Sequence, residues 1–160
     1  MYNHSNLIKV LIEYESECEP RIGHFLKVFG YAKAIGELEK VDSKTQFILE
    51  TAALMHDVGI KESLIKYGNS FGKNQEKEGA IIARPMLESL GYENDDIDRI
   101  CFLIAHHHTF DNVEGLDYQI LVEADFLVNF SSMEAEARKK YVALFDTKAG
   151  KHFLKTIYSL

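Results

Sequence analysis

The chain has 160 residues, 46% of them hydrophobic, enough apolar material for one core of ordinary domain size. Its 18 basic against 25 acidic side chains leave a formal charge of -7, which opposes attraction to a polyanion and excludes extended nucleic acid as an expected partner. The cysteines, Cys18 and Cys101, lie far apart, so neither a disulfide framework nor a thiolate zinc site is indicated and a reducing cytoplasm is the expected setting.

The first 14 residues carry no basic leader followed by an apolar stretch and a cleavage site. Apolar runs such as 47–55 and 100–105 fall far short of the ~20 residues that cross a bilayer, so a soluble chain without a membrane partner is expected. Prolines occur only at Pro20 and Pro85, and segments of helical apolar spacing follow one another, which predicts an all-α, multi-helix bundle. In chain order, a first helix is expected over Ser5 to Glu17, with a turn at Glu19-Pro20. The next runs through Ile22, Phe25, Leu26, Phe29, Ala32 and Ile35 and carries His24 near its start. Asp42 or Ser43 caps a third helix, whose apolar residues lead directly to His56 and Asp57, with Gly59 as its stop. Lys66 to Asn74, with two glycines and two asparagines and no apolar period, reads as a loop and as the candidate for a mobile lid. A helix follows over Gln75 to Leu90, another from Asn94 through His106-His107-His108, and another over residues 120–130 with Asp125 inside it. The remainder reads as one or two helices broken near Gly150.

A histidine followed at once by an aspartate at the end of an apolar helix supplies a neutral nitrogen and an anionic oxygen, both ligands for a catalytic divalent ion. Alone, His56 also reads as a helix-terminal histidine on the last carbonyls. Its company shifts the balance: Arg21-Ile-Gly-His24 lies upstream and Glu123-Ala-Asp125-Phe-Leu-Val-Asn129 downstream. A carboxylate such as Asp125, inside an apolar run, is costly to bury unless paired or metal-bound.

In this order, together with Ala52-Ala-Leu-Met-His-Asp-Val-Gly59 and the Gly79-Ala80 pair, the chain resembles the HD superfamily of metal-dependent phosphohydrolases. The resemblance implies one HD-type domain over 1–160, with a family-like core at about 21–129 and C-terminal helices over 131–160. It also implies that His24, His56, Asp57 and Asp125 coordinate one metal ion. Many relatives place a histidine four residues before the Gly-Ala pair, where it helps hold a second ion; here that residue is Gln75. Glu76 and Glu78 nearby read as a solvated helix start. Continuing the apolar positions Ile97, Ile100, Cys101 and Ile104 by helical steps turns His107 and His108 inward before His106. Gln75, His107 and His108 are therefore the candidates for a second ion, and the expected metals are Mn, Fe, Co, Ni, Zn or Mg. His4 and His152 are expected at the surface.

The chemistry that follows is hydrolysis of a phosphate ester, from a nucleotide or another small phosphorylated metabolite, by a metal-activated water. Asp57 would ligate and orient that water, while His107 or His108 protonates the leaving oxygen or contacts the phosphate. Arg21, one turn before His24, ranks first for phosphate recognition, although an ion pair with an acid is an equal reading. Lys61, Lys73 and Arg84 are further candidates. The competing classes are a phosphate-ligand sensor with a degenerate HD site and a di-iron oxygenase. Assembly into a homo-oligomer is left open.

Overall fold

Leu7 and Leu11, four residues apart and so on one face, are the buried side of helix α1 (Ser5–Tyr14). The computed structural model describes residues 3–160, all helix and turn with no strand among them. Helix α2 (Glu19–Leu38) tolerates Pro20 because a first-turn residue has no intrahelical N–H bond to lose. It buries Phe25, Val28, Ala32 and Ile35. Helix α3 (Ser43–Met55) is capped by Asp42, whose side chain accepts from the backbone N–H groups of Lys44 and Thr45 at 3.1 Å each. From Ile48 to Met55 every residue of α3 is buried, the mark of a central helix rather than an amphipathic one.

Helices α4 (Ile60–Tyr67) and α5 (Gly72–Ser89) form a corner at Gly68, whose φ of 68° ends α4 in the left-handed conformation. Helix α6 (Asn94–Ile104) and helix α7 (Leu116–Asn129) follow, and α7 is buried without a break from Asp117 to Tyr118 and from Ile120 to Leu127. After two short 3₁₀ turns and the four-residue α8 (Ala135–Arg138), helix α9 (Lys148–Tyr158) closes the chain. Helix α2 packs on α3 and α7, α3 on α6 and α7, α5 on α4 and α6, and α9 on α7 and α2. The core is one continuous cluster from Leu7 to Leu154. No helix among the described residues is long and apolar enough to cross a membrane.

Several expected boundaries move. The loop over Lys66 to Asn74 shrinks to residues 68–71, because α4 runs through Tyr67 and α5 begins at Gly72. Glu62, Lys66 and Glu78 account for this: Lys66 Nζ lies 3.3 Å from Glu62 and 2.7 Å from Glu78. Helix α6 stops at Ile104, so His106 to His108 occupy a turn rather than helix. The terminal break falls at Phe145 to Thr147, and Gly150 lies inside α9, where a Cβ would sit 1.8 Å from Glu123 Oε2. His152 is exposed as expected, but His4 is not. Its Nε2 lies 3.1 Å from Thr51 Oγ1 and its Nδ1 3.4 Å from Glu50, with the ring against Phe29 and Phe47.

Candidate metal centre

Three buried helix segments bring the principal donors together. His24 comes from the first turns of α2, His56 and Asp57 from the end of α3, and Asp125 from the middle of α7. His24 Nε2 lies 3.1 Å from His56 Nε2, 3.1 Å from Asp125 Oδ1 and 3.3 Å from Asp57 Oδ2. His56 Nε2 lies 3.3 Å from Asp57 Oδ2 and 3.4 Å from Asp125 Oδ1. These are the separations of neighbouring ligands on one ion, since bonds of about 2.0–2.2 Å from N and O donors span them.

Orientation supports the same reading. His56 donates from Nδ1 to the Ala53 carbonyl at 2.8 Å, which in the neutral ring leaves the Nε2 lone pair facing the cluster. His107 repeats the arrangement, with Nδ1 donating to the Ile104 carbonyl at 2.7 Å. Its Nε2 is buried, lacks a hydrogen-bond partner and lies 3.4 Å from Asp57 Oδ1. A buried lone pair without a donor is costly unless a cation takes it, so the donor set fits a divalent ion.

Asp57 joins two groups. Its Oδ2 faces His24 and His56, while its Oδ1 faces His107. Asp57, His107 and His108 offer a second set of ligand atoms within 4.8 Å of one another. His108 is held from three points on the first turn of α5. Its ring lies against Gly72, its backbone N–H donates to Glu76 Oε1 at 2.9 Å, and its Nε2 lies 3.2 Å from Gln75 Oε1. Gln75 is itself fixed by donating from Nε2 to the Ser70 carbonyl at 2.6 Å. This placement depends on Gly59 and Gly79: a Cβ at Gly59 would come within 2.2 Å of the Gln75 carbonyl and 2.5 Å of Gly79 N.

Burial alone would push the His56 imidazole down, but Asp57 and Asp125 overcome it and hold the ring well above its ordinary value. For Asp57, burial pushes upward and the His56 and His107 imidazoles prevail, taking the carboxyl well below its usual range. Asp125 is likewise depressed against burial by its bonds to His24 and His56. His108 is pushed down to about 4 by burial and then by His107, so it is neutral at neutral pH.

The phosphate-binding candidates divide. Arg21 donates from Nε to the buried Glu15 at 2.6 Å, the ion pair being one of its two expected readings, and lines a small cavity with Asp57. Lys61 is turned away, donating to the Tyr14 carbonyl at 2.9 Å and lying over the Tyr14 ring. Arg84 pairs with Asp98 at 2.5 Å, nine residues along α5 from Gln75 and so about 13 Å from that end of the helix. Lys73 is exposed on the first turn of α5. Glu76 and Glu78, expected as solvated charges, are buried: Glu76 accepts from His108 and Thr109, and Glu78 from Lys66 and Tyr67. Asn129, one turn after Asp125, donates to Asp125 Oδ1 at 2.9 Å. No role was expected of Asn129, although its i+4 spacing from a candidate ligand was the available signal. His106 points elsewhere, stacking on Phe102 and donating to its carbonyl at 2.7 Å.

An all-helical scaffold whose central helices bring histidines and carboxylates together defines the class: an all-α fold with a candidate metal centre. The HD domain family model matches residues 21–148, and the chain belongs to that family, in the broad class of metal-dependent phosphohydrolases. A crystal structure of a "predicted HD superfamily hydrolase" from an uncultured Thermotogales bacterium shares the fold. Its TM-score is 0.74 at 24% identity, over 98% of this chain and 86% of that one. No curated protein matches the chain.

Proposed function

We propose that the protein hydrolyses a phosphate ester, of a nucleotide or another small phosphorylated metabolite, with His24, His56, Asp57 and Asp125 holding a divalent ion. The observation that carries this reading is that His24 and His56 lie 3.1 Å apart and each within 3.1–3.4 Å of both Asp57 and Asp125. An ion bound there supplies hydroxide from water at neutral pH and neutralises charge on the phosphoryl oxygens. The residues supply the rest. Asp57 uses Oδ2 toward His24 and His56, leaving Oδ1 to accept a hydrogen bond from the attacking water and orient it. His107 Nε2, the free lone pair beside that oxygen, takes either the water's proton or a second ion. A neutral His108 serves as an uncharged hydrogen-bonding contact rather than as a cationic acid. Arg21 commits only Nε to Glu15, so its terminal nitrogens remain for phosphoryl oxygens.

The test is a panel of phosphate esters offered to the chelator-stripped protein and to protein reloaded with manganese, zinc or iron. Turnover restricted to the reloaded protein is expected; full metal loading without turnover on any ester would remove the hydrolase reading. A sensor is the second reading, favoured by Gln75 occupying the position beside His108 with a neutral amide. Calorimetry showing a tightly bound, unhydrolysed nucleotide in the metal-loaded protein would select it.

A further inference from the structure

A groove of about 360 Å³ lies beside the centre, between the first turns of α2 and the end of α7. His24 and Asn129 form part of its wall, so it touches one candidate ligand and the side chain that holds another. Ser131, Ser132 and Lys27 line it further. The two serine hydroxyls donate to the Val128 and Asn129 carbonyls at 2.8 and 3.0 Å, which leaves their lone pairs as acceptors. Gly23 contributes no side chain to the wall.

Lys27 is the cation of this lining. Its side chain has no ion pair or hydrogen bond among the described residues, as is true of several other exposed lysines such as Lys40 and Lys155, but here the free charge shares a wall with a candidate metal ligand. It lies three residues after His24, about 5–6 Å away at Cβ on the same face of the helix, and carries its charge on a flexible stem. Glu19, the carboxylate in the same lining, is not paired with it.

We propose that this groove is the leaving-group subsite of the metal centre and that Lys27 selects phosphate monoesters whose leaving group carries a second anionic group. The proposal rests on the phosphohydrolase reading, because the phosphoryl end must be held at the four-ligand cluster for the leaving group to fall beside His24. An ordinary solvated lysine would line open surface; this one shares a groove with a candidate ligand. The serine acceptors suit hydroxyl donors on the same leaving group, and Lys27 suits a carboxylate or a second phosphoryl group.

The experiment uses the full chain loaded with manganese and two non-hydrolysable probes, phenylphosphonate and 4-carboxyphenylphosphonate, with binding read by calorimetry. The carboxylated probe is expected to bind about three- to fivefold more tightly, the scale of a partly exposed ion pair. Lys27→Met should bring the two probes to parity while leaving manganese content and phenylphosphonate affinity unchanged. Lys27→Arg should keep the preference, and Glu19→Gln should widen it. Because Lys27 is exposed, loss of folding does not confuse the result. Equal binding of the probes by the wild-type protein, or a preference that survives Lys27→Met, would overturn the subsite alone. Failure of the manganese-loaded protein to bind either phosphonate would sink the phosphohydrolase reading, and the subsite with it.

Discussion

Helix α7 carries two buried carboxylates two residues apart, and the structure uses them in opposite ways. Glu123 is fully buried and saturated by donors. Its Oε1 accepts from Gln119 Nε2 at 2.7 Å, Asp146 N at 2.7 Å and Thr147 N at 2.9 Å, and its Oε2 from Thr147 Oγ1 at 2.5 Å. These bonds tie the start of α9 to α7. Asp125, on the other side of the helix, receives one ordinary donor, Asn129, and otherwise faces His24 and His56. One carboxylate satisfies backbone that would be left unpaired; the other is left for a cation. Burial is common to both, and the nature of the partners separates structure from chemistry.

Exchanging the two roles by mutation gives the largest contrast. Asp125→Asn or Asp57→Ala should abolish metal retention, measured by elemental analysis of the purified protein, and turnover with it, while the helical fold is kept. The midpoint of the metal-free protein should fall, because the folded chain holds both carboxyls below their usual range against burial and each change leaves His56 one partner fewer. Glu123→Gln should act on stability alone. It leaves metal content intact and costs about 3 kcal/mol, since an amide cannot accept from all the donors that Glu123 serves. That corresponds to a drop of roughly 6–12 °C for a chain of this size. Gly150→Ala, whose Cβ would strike Glu123 Oε2, should mimic it with a loss of about 1–3 kcal/mol. Loss of metal from either variant, with stability unchanged, would dissolve the contrast.

This pair also shows what the sequence could and could not reveal. The apolar run around Asp125 announces a buried carboxylate, but Glu123 lies in the same run, and the cost of burial does not distinguish them. The partners of Glu123 are Asp146 and Thr147, more than twenty residues away, and only the tertiary fold supplies them. His24 and His56–Asp57 were readable because a local pattern carries them: a helix end, a glycine stop and a family-like order. The failures share one cause. His4 at a terminus, Lys61 and Arg84 on exposed helix faces, and Glu76 and Glu78 at a helix start all look solvated by local rules, and each finds a partner on another element or helix turn. His107 and His108 turn toward Asp57 although the helix expected to orient them ends at Ile104, so a turn rather than helical phase points them inward.

A smaller effect sharpens the metal side. Asn129→Ala removes the donor that fixes Asp125 Oδ1 without touching a ligand. Metal affinity should fall about 10–100-fold, as for other partners that orient a ligand. Titration with a competing chelator measures this, and an unchanged affinity would mean that the imidazoles alone position Asp125. On the other side of the centre, His108→Ala should cost more activity than His106→Ala, because the His106 ring is occupied with Phe102.

The smallest expected effect separates a structural histidine from one at the site by pH. His4 is held below its ordinary value of 6.5, chiefly by burial and against the pull of Glu50. His108 is pushed down to about 4 by burial and by His107. In both cases the unfolded chain takes up a proton that the folded chain refuses. Their contribution is therefore fully present above about pH 6.5 and is lost as pH falls toward the folded value. His4→Gln and His108→Gln should each flatten the decline of the thermal midpoint below pH 6.5, for His108 down to about pH 4. For His4, whose neighbours are Thr51, Glu50, Phe29 and Phe47, the flattening should be the same with chelator or with manganese. For His108, which shares Asp57 and His107 with the centre, it should change when metal is added, because a bound cation further disfavours the imidazolium. Equal metal sensitivity at the two positions would show that His108 stands apart from the ion, and would return it to the structural class that Glu123 represents.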